Sequence, residues 1–408
     1  MRCGLLGRKL SHSYSPQIHS YLGDYTYQLY EKEPEELCEF LTSDQFDALN
    51  VTIPYKKDVI LFCSQLSPAA QKLGAINTIV RQKDGSLLGH NTDYFGFLYT
   101  IKKTGLSVDG KKVLVLGSGG ASVTAVAVLK ELGATVVTIS RNGENNYTNI
   151  AKHSDAKLIV NATPVGMYPH NGATPLSLDH FHSLEGVIDM IYNPARTALL
   201  QDAESRSLVA ENGLWMLVAQ AKESAQWFTG STYDDTLIQT IHNKLNTQMQ
   251  NIILIGMPGC GKTTVGTHLS QLLGKELVDA DQYLVSKTGK TIPEIFAQEG
   301  ETAFRKLETE VLTELGTRSG LIIATGGGCV TRPENYKHLH QNGLIIWLQR
   351  PIVHLATDGR PLSQTNKLED MYRSRMPMYQ EFCDHIIQND DTALAAATKI
   401  AMLLDTEV

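Results

Sequence analysis

Asn251-Ile-Ile-Leu-Ile-Gly-Met-Pro-Gly-Cys-Gly-Lys-Thr-Thr264 decides the fold of the second half of the chain. Ile252–Ile255 read as a buried strand, and a helical pattern follows Thr264. Between them, Gly256–Thr263 fits G-x-x-x-x-G-K-[ST] completely. Backbone N–H groups of such a loop cradle phosphates, Lys262 reaches the β- and γ-phosphates, and Thr263 can ligate Mg²⁺. Gly256, Gly259, Gly261, Lys262, Thr263 and Thr264 are therefore expected to bind a nucleoside triphosphate.

An earlier stretch, Lys112-Val-Leu-Val-Leu-Gly-Ser-Gly-Gly-Ala121, repeats that logic. A buried strand runs into Gly117, Ser118, Gly119, Gly120 and Ala121, then into a helical pattern. Glycines let the backbone approach a pyrophosphate, and the helix N-terminus favours its charge. Ser122 stands where GxGxxG has its third glycine, so a plain strand–helix turn remains a competing reading. After the next strand, Thr135–Ile139, come Ser140 and Arg141. NAD-binding folds carry a carboxylate at this place; an arginine suits a 2′-phosphate, which favours NADP over a mere surface charge.

Strands alternating with helical patterns predict an α/β protein with parallel sheets. Leu237, Ile238, Ile241 and Leu245 share one helical face, and the polar stretch Asn246–Gln250 precedes the strand at Asn251. The boundary is placed there, giving domains of residues 1–245 and 250–408.

Composition narrows the class. The chain has 408 residues, 42% apolar and 19% charged, with a net charge of −7. The acidic balance speaks against nucleic acid as a partner. There is no run of about 18 apolar residues to span a membrane, and no signal-like segment at the N-terminus. Six cysteines without C-x-x-C spacing suggest reduced thiols and a cytoplasmic setting. A monomer and a homodimer are both compatible with the sequence.

Polar clusters interrupt the apolar framework of the first half: Ser11–Pro16, Asn50–Lys56, Gly74–Thr78 and Asn91–Asp93. Their hydroxyls, amides, ammonium and carboxylate suit a small polyhydroxylated acid. A Lys–Asp pair can supply the proton that carbonyl reduction requires. Taken singly, each residue also has a bland reading as a cap, turn or surface charge.

Together, SHSYSP (11–16), NVTIPYK (50–56), GAINT (74–78), NTD (91–93), GSGGA (117–121), NATPVGM (161–167), DMIYNPARTALL (189–200) and MLVAQA (216–221) resemble the shikimate dehydrogenases. The resemblance spans almost all of residues 3–245. It implies NADPH-dependent, reversible reduction of 3-dehydroshikimate to shikimate. By motif, Ser13 and Ser15 would hold the substrate carboxylate. Asn50, Thr52, Asn77 and Gln220 would hold its ring oxygens, and Lys56 and Asp93 would be the acid–base pair. Asn161, Thr163 and Tyr192 would line the nicotinamide and substrate cleft. The implied architecture is a substrate domain (1–95 and 215–245) around a Rossmann NADP domain (96–214). Val123-Thr124 departs from the family by lacking a basic residue just inside the helix, which leaves Arg141 to carry more of the cofactor's charge.

In the second half, Asp279-Ala-Asp281 puts two carboxylates beside the phosphate loop, one for metal and one for an acceptor hydroxyl. Gly300–Arg305 with Glu308, Thr325–Gly328, Arg360–Leu362 and Arg375–Tyr379 follow. Arginines can grip a carboxylate bidentately or neutralise a transferring phosphate. Their order and spacing resemble the shikimate kinases over residues 250–390. The resemblance implies a nucleoside-monophosphate-kinase-like P-loop fold using ATP and Mg²⁺. Asp279 would bind the metal through water and Asp281 would activate the acceptor hydroxyl. Arg305, Arg375 and the backbone of Gly326, Gly327 and Gly328 would bind shikimate. Arg360 would be the lid arginine, and Arg350 is a further basic candidate nearby. The stretch between Leu362 and Leu368 is shorter than the family's lid.

Both halves point to one metabolite, made by the first and phosphorylated on its 3-hydroxyl by the second. Alternatives are a first half that uses NAD and quinate, a fusion in which one half is inactive and regulatory, and a P-loop switch without small-molecule transfer.

Overall fold

A computed structural model describes residues 1–10, 13–355 and 368–406. The chain divides into two compact units. One comprises Met1–Gly166, Ala173–Tyr192 and Leu199–His242; the other comprises Met167–Gly172, Asn193–Ala198 and Asn243–Val408. The expected linker at Asn246–Gln250 is mostly helix: Thr236–Met249 is continuous, and Asn251 already begins the next strand. The apolar stripe simply runs one turn further, since Met249 is buried like Ile238, Ile241 and Leu245, and that burial outweighs the modest helix propensity of Asn and Thr.

The first unit contains two sheets. β1 (Arg2–Gly7), β2 (Thr26–Glu31), β3 (Ala48–Val51), β4 (Gln65–Leu66), β5 (Thr78–Arg81) and β6 (Leu87–His90) form one, in the order β2-β1-β3-β5-β6-β4. This sheet is mixed. β5 and β6 pair antiparallel around a turn at Gly85, where φ is +86°, while β1 pairs parallel with β2 and β3. Phe40, Phe46, Leu49, Ile76 and Ile79 fill its core.

The second sheet is wholly parallel: β7 (Lys112–Leu116), β8 (Thr135–Ile139), β9 (Leu158–Asn161), β10 (Gly186–Asp189) and β11 (Val209–Glu211), ordered β11-β10-β9-β7-β8. Val113–Leu116 are fully buried, as strands covered on both faces must be. The chain winds to opposite sides from β7 and β9, and ligands bind at such a switch point.

The second unit repeats the principle with β12 (Asn251–Ile255), β13 (Glu276–Asp279), β14 (Leu321–Ala324), β15 (Gly343–Gln349) and β16 (His385–Gln388), ordered β13-β14-β12-β15-β16 and all parallel. The loops after all five strands therefore open on one edge of the sheet. Among the described residues, no helix is long and apolar enough to cross a membrane, and all six cysteines are free.

Candidate active sites

The first site lies in the first unit. A cavity of about 310 Å³ is lined by Ser13, Ser15, Asn50, Thr52, Lys56, Asn77, Asp93, Tyr192 and Gln220, with Ala121 of the glycine loop at its edge. Every substrate or acid–base residue expected in this half reaches that space. Lys56 Nζ donates to Asp93 Oδ2 at 2.6 Å. Asp93 opens helix Asp93–Thr104, and its other oxygen accepts from Asn77 Nδ2 at 2.9 Å. The same Asn77 amide reaches Gln220 Oε1 at 3.3 Å. Tyr27 donates its hydroxyl to Asn50 Oδ1 at 2.8 Å.

One glycine makes this convergence feasible. A Cβ on Gly96 would sit 2.7 Å from the Met216 carbonyl oxygen and 3.0 Å from Gln220 Cβ. Helices Asp93–Thr104 and Leu214–Thr229 can therefore touch backbone to backbone, which brings Gln220 to Asn77. Tyr192 packs edge-on to Tyr14, with centroids 6.1 Å apart. Burial holds the Tyr192 phenol above its ordinary range, so it acts as a neutral hydroxyl.

Beside this cavity, Ser118, Gly119, Gly120 and Ala121 are exposed. Gly119 is the N-cap of helix Gly120–Glu131, and a Cβ on Gly119 or Gly120 would meet nothing within 4 Å. Gly117 is different: its φ is +108°, and a Cβ there would come within 3.1 Å of both the Ala162 carbonyl oxygen and Thr163. The loops after β7 and β9 thus meet at the switch point. Ser140 and the exposed Arg141 follow β8, whose Ile139 carbonyl accepts from Gly117 N at 2.8 Å. An open glycine loop, a helix N-terminus and an arginine at the ribose end fit a dinucleotide with a 2′-phosphate. One expectation needs correcting. Asn161 is fully buried and does not face the cleft. Its amide donates to Asp189 Oδ1 at 3.0 Å, and its oxygen accepts from Thr163 N and Oγ1 at 3.0 and 2.7 Å. It braces the loop that presents Thr163.

The second site is a cavity of about 680 Å³ in the second unit. Its walls include Gly259, Gly261, Lys262, Thr263, Thr264, Asp279, Asp281, Arg305, Gly326, Gly327, Gly328, Arg350 and Arg375. Gly256 does not line it. At φ +144°, it is wedged against β15, where a Cβ would lie 2.6 Å from the Leu348 carbonyl oxygen. Lys262 Nζ, itself buried, donates to the Gly256 and Met257 carbonyls at 2.8 and 3.1 Å. Thr263 Oγ1 donates to Asp279 Oδ2 at 2.7 Å. Asp279 Oδ1 caps helix Ala280–Thr288 by accepting from the Asp281 and Gln282 backbone at 3.0 and 3.1 Å. A hydroxyl and a carboxylate meeting beside a phosphate cradle form an oxygen-only donor pair, which fits Mg²⁺ completed by waters and phosphate.

The wall carrying Arg305 and Arg375 is organised around bare backbone. Arg305 lies flat on Gly328, since a Cβ there would fall 2.2 Å from its Nη1. It pairs with Glu308 Oε2 at 2.7 Å. Burial pushes the Glu308 carboxyl above its usual range, against the pull of Arg305. Arg375 donates to the Gly327 carbonyl at 3.1 Å, and the Tyr379 hydroxyl donates to that same oxygen. Cys329, beside the glycines, has its thiol pushed up to about 12 by burial, which removes it as a nucleophile at neutral pH. Arg360 lies outside the described residues.

Sequence reasoning left several groups without a role. Glu308 sits one helical turn from Arg305. Ser224 sits one turn from Gln220, and Thr78 and Thr92 flank Asn77 and Asp93 in sequence. For Glu308 and Ser224 the i to i+3 and i to i+4 spacing was the available signal, and for the two threonines it was adjacency to Asn77 and Asp93.

Comparison with known proteins finds a family for each part of the chain. Family models described as "Shikimate dehydrogenase substrate binding domain" and "Shikimate kinase" match residues 5–79 and 258–405. A shikimate dehydrogenase (NADP(+)) of Clostridium beijerinckii is 33% identical over 260 residues, 59% of this chain and 96% of the relative. A shikimate kinase of Acinetobacter baumannii is 42% identical over 166 residues, 38% of this chain and 92% of the relative. The structure of a Thermus thermophilus shikimate 5-dehydrogenase in complex with NADP(H) and shikimate superposes with a TM-score of 0.55 at 30% identity, covering 60% of this chain and 99% of that one. The chain therefore belongs to two families at once, the shikimate dehydrogenases through its first part and the shikimate kinases through its second.

Proposed function

We propose that the chain is a bifunctional enzyme that reduces 3-dehydroshikimate to shikimate with NADPH, reversibly, and phosphorylates shikimate to shikimate 3-phosphate with ATP and Mg²⁺. The domains are residues 1–245 and 250–408, and the setting is the cytoplasm. One observation carries this reading. In each unit, a cavity lined by polar and charged side chains adjoins a glycine-rich strand–helix loop, through Ala121 in the first and through Gly259, Gly261, Lys262, Thr263 and Thr264 in the second.

NADPH, when bound, supplies a hydride, and ATP supplies a phosphoryl group. The remaining work falls to this chain's residues. In the first site Ser13 and Ser15 hold the substrate carboxylate, and Asn50, Thr52, Asn77 and Gln220 hold its hydroxyls. Lys56 holds the proton that the developing alkoxide oxygen takes up, and Asp93 aims Lys56. In the reverse direction Lys56 receives that proton. In the second site Arg305, Arg375 and the Gly326–Gly328 backbone fix the acid. Asp281 accepts the proton of the attacking hydroxyl, Lys262 and the loop amides hold the phosphates, and Thr263 and Asp279 hold the metal. Catalysis there is positioning plus charge stabilisation.

The test is substrate preference. Shikimate oxidation by the purified protein should favour NADP⁺ over NAD⁺, and quinate should be the poorer substrate. A preference for NAD⁺ and quinate would replace the first half of this reading. ATP-dependent phosphorylation of shikimate tests the second half, and its absence with Mg²⁺ present would remove it.

A further inference from the structure

Under the dehydrogenase cleft lies a buried oxygen to which no step above assigns work. Ser224, on helix Leu214–Thr229, is completely buried, as are Thr78 and, almost completely, Thr92. Ser224 Oγ lies 2.8 Å from Asn50 Nδ2, 3.0 Å from Thr78 Oγ1, 2.9 Å from Thr92 Oγ1 and 2.9 Å from the Gln220 carbonyl oxygen. Strands β3 and β5, the turn into helix Asp93–Thr104 and the helix bearing Gln220 all meet at this one atom.

Counting protons orders the cluster. A serine hydroxyl has one proton to give and two positions to accept. The Gln220 carbonyl can only accept, so the Ser224 proton goes there. Asn50 Nδ2 can only donate, so it fills one acceptor position. The other acceptor position takes the proton of one threonine hydroxyl, Thr78 or Thr92, and the second threonine has Asn77 Oδ1 as its acceptor, 3.1 Å from Thr78 Oγ1 and 3.2 Å from Thr92 Oγ1. Thr92 N donates to Asn77 Oδ1 at 2.7 Å, which turns the Asn77 amide so that its Nδ2 faces Asp93 Oδ1 at 2.9 Å. Asp93 in turn holds Lys56. Asn77 Nδ2 also donates to Thr92 Oγ1 at 3.0 Å, so hydrogen bonds run without a gap from Ser224 through Thr92, Asn77 and Asp93 to Lys56, and buried networks of this kind lose more than a single bond when one member goes.

We propose that Ser224 is a positioning residue of the dehydrogenase site, whose hydroxyl sets the proton order among Thr78, Thr92, Asn50 and Asn77 and so aims the Lys56–Asp93 pair. The proposal rests on the dehydrogenase reading above. Ser224→Ala removes the hydroxyl. Ser224→Cys keeps nearly the same shape with a weak donor and a weak acceptor. Both should lower kcat for shikimate oxidation by about tenfold, the scale expected when a buried partner is lost and a reacting pair is misaligned. Both should raise the isotope effect with deuterated NADPH in the reverse reaction, while KM for NADP⁺ and the kinase rate stay within about twofold because neither nucleotide loop is touched. A thiol that restores kcat would show a packing role and overturn the proposal, as would unchanged kcat in Ser224→Ala. Should Ser224→Ala fail to fold, Thr92→Val attacks the same cluster from the opposite side, and wild-type kcat there would overturn it equally. Wild-type protein that does not oxidise shikimate at all brings down the dehydrogenase reading, and the proposal with it; a working wild type with normal variants brings down the proposal alone.

Discussion

The dehydrogenase cleft is wired side chain to side chain, whereas the kinase cleft is built largely on backbone. In the first, Lys56, Asp93, Asn77 and Gln220 touch one another in sequence. In the second, Lys262 rests on two carbonyls, Arg375 on the Gly327 carbonyl, and Arg305 on the bare face of Gly328. The chemistry accounts for the contrast. Moving a proton onto a carbonyl oxygen needs one titratable group aimed within a fraction of an ångström, and neighbouring side chains do the aiming. Transferring a phosphoryl group needs many fixed donors around diffuse charge, and a glycine-rich backbone supplies them.

That contrast can be broken most sharply at the two lysines. Lys56→Ala should reduce NADPH oxidation with 3-dehydroshikimate by about 100- to 10,000-fold, the range for loss of a general acid, and leave phosphorylation of shikimate intact. Lys262→Ala should do the reverse, with a loss of about 100- to 1,000-fold in kinase kcat. Loss of both activities in either variant would mean that the two sites are not independent. Steady-state rates with each cofactor followed separately decide the matter.

A smaller effect sharpens the backbone side of the comparison. Arg305→Lys keeps the charge but not the planar fork, so KM for shikimate should rise by about tenfold or more with KM for ATP nearly unchanged. An unchanged KM for shikimate would remove Arg305 from the acid-binding end. The smallest effect is expected at the exposed Arg141. Arg141→Ala should raise KM for NADP⁺ by about five- to tenfold and leave NAD⁺ unaffected, since a solvent-exposed charge pair contributes about 1 kcal/mol. Equal loss with both cofactors would assign the discrimination elsewhere.

Both phosphate loops are legible in the chain because strand, glycines and helix are contiguous there, and a local pattern suffices. The Lys56–Asp93 pair is separated by 37 residues, and only the ordered motifs connect the two before the fold is seen. Asn161 and Gly256 illustrate the limit. Each stands in a nucleotide-binding motif, yet each is spent on holding its loop against a neighbouring strand. Motif membership does not say which way a side chain faces. Ser224 shows the converse: a serine within an ordinary amphipathic helix, whose significance depends on three other elements meeting it. The helix through Asn246–Met249 was missed because polar composition resembles a linker until the burial of Met249 is known.

The central claim is that one acid fits both clefts. A single reaction containing the purified chain, 3-dehydroshikimate, NADPH, ATP and Mg²⁺ tests it directly, with NADPH consumption and ADP formation followed together. ADP should appear only after NADPH begins to fall, and the product should carry one phosphate per hydride transferred. ADP formation independent of NADPH, or NADPH consumption whose product is never phosphorylated, would contradict it.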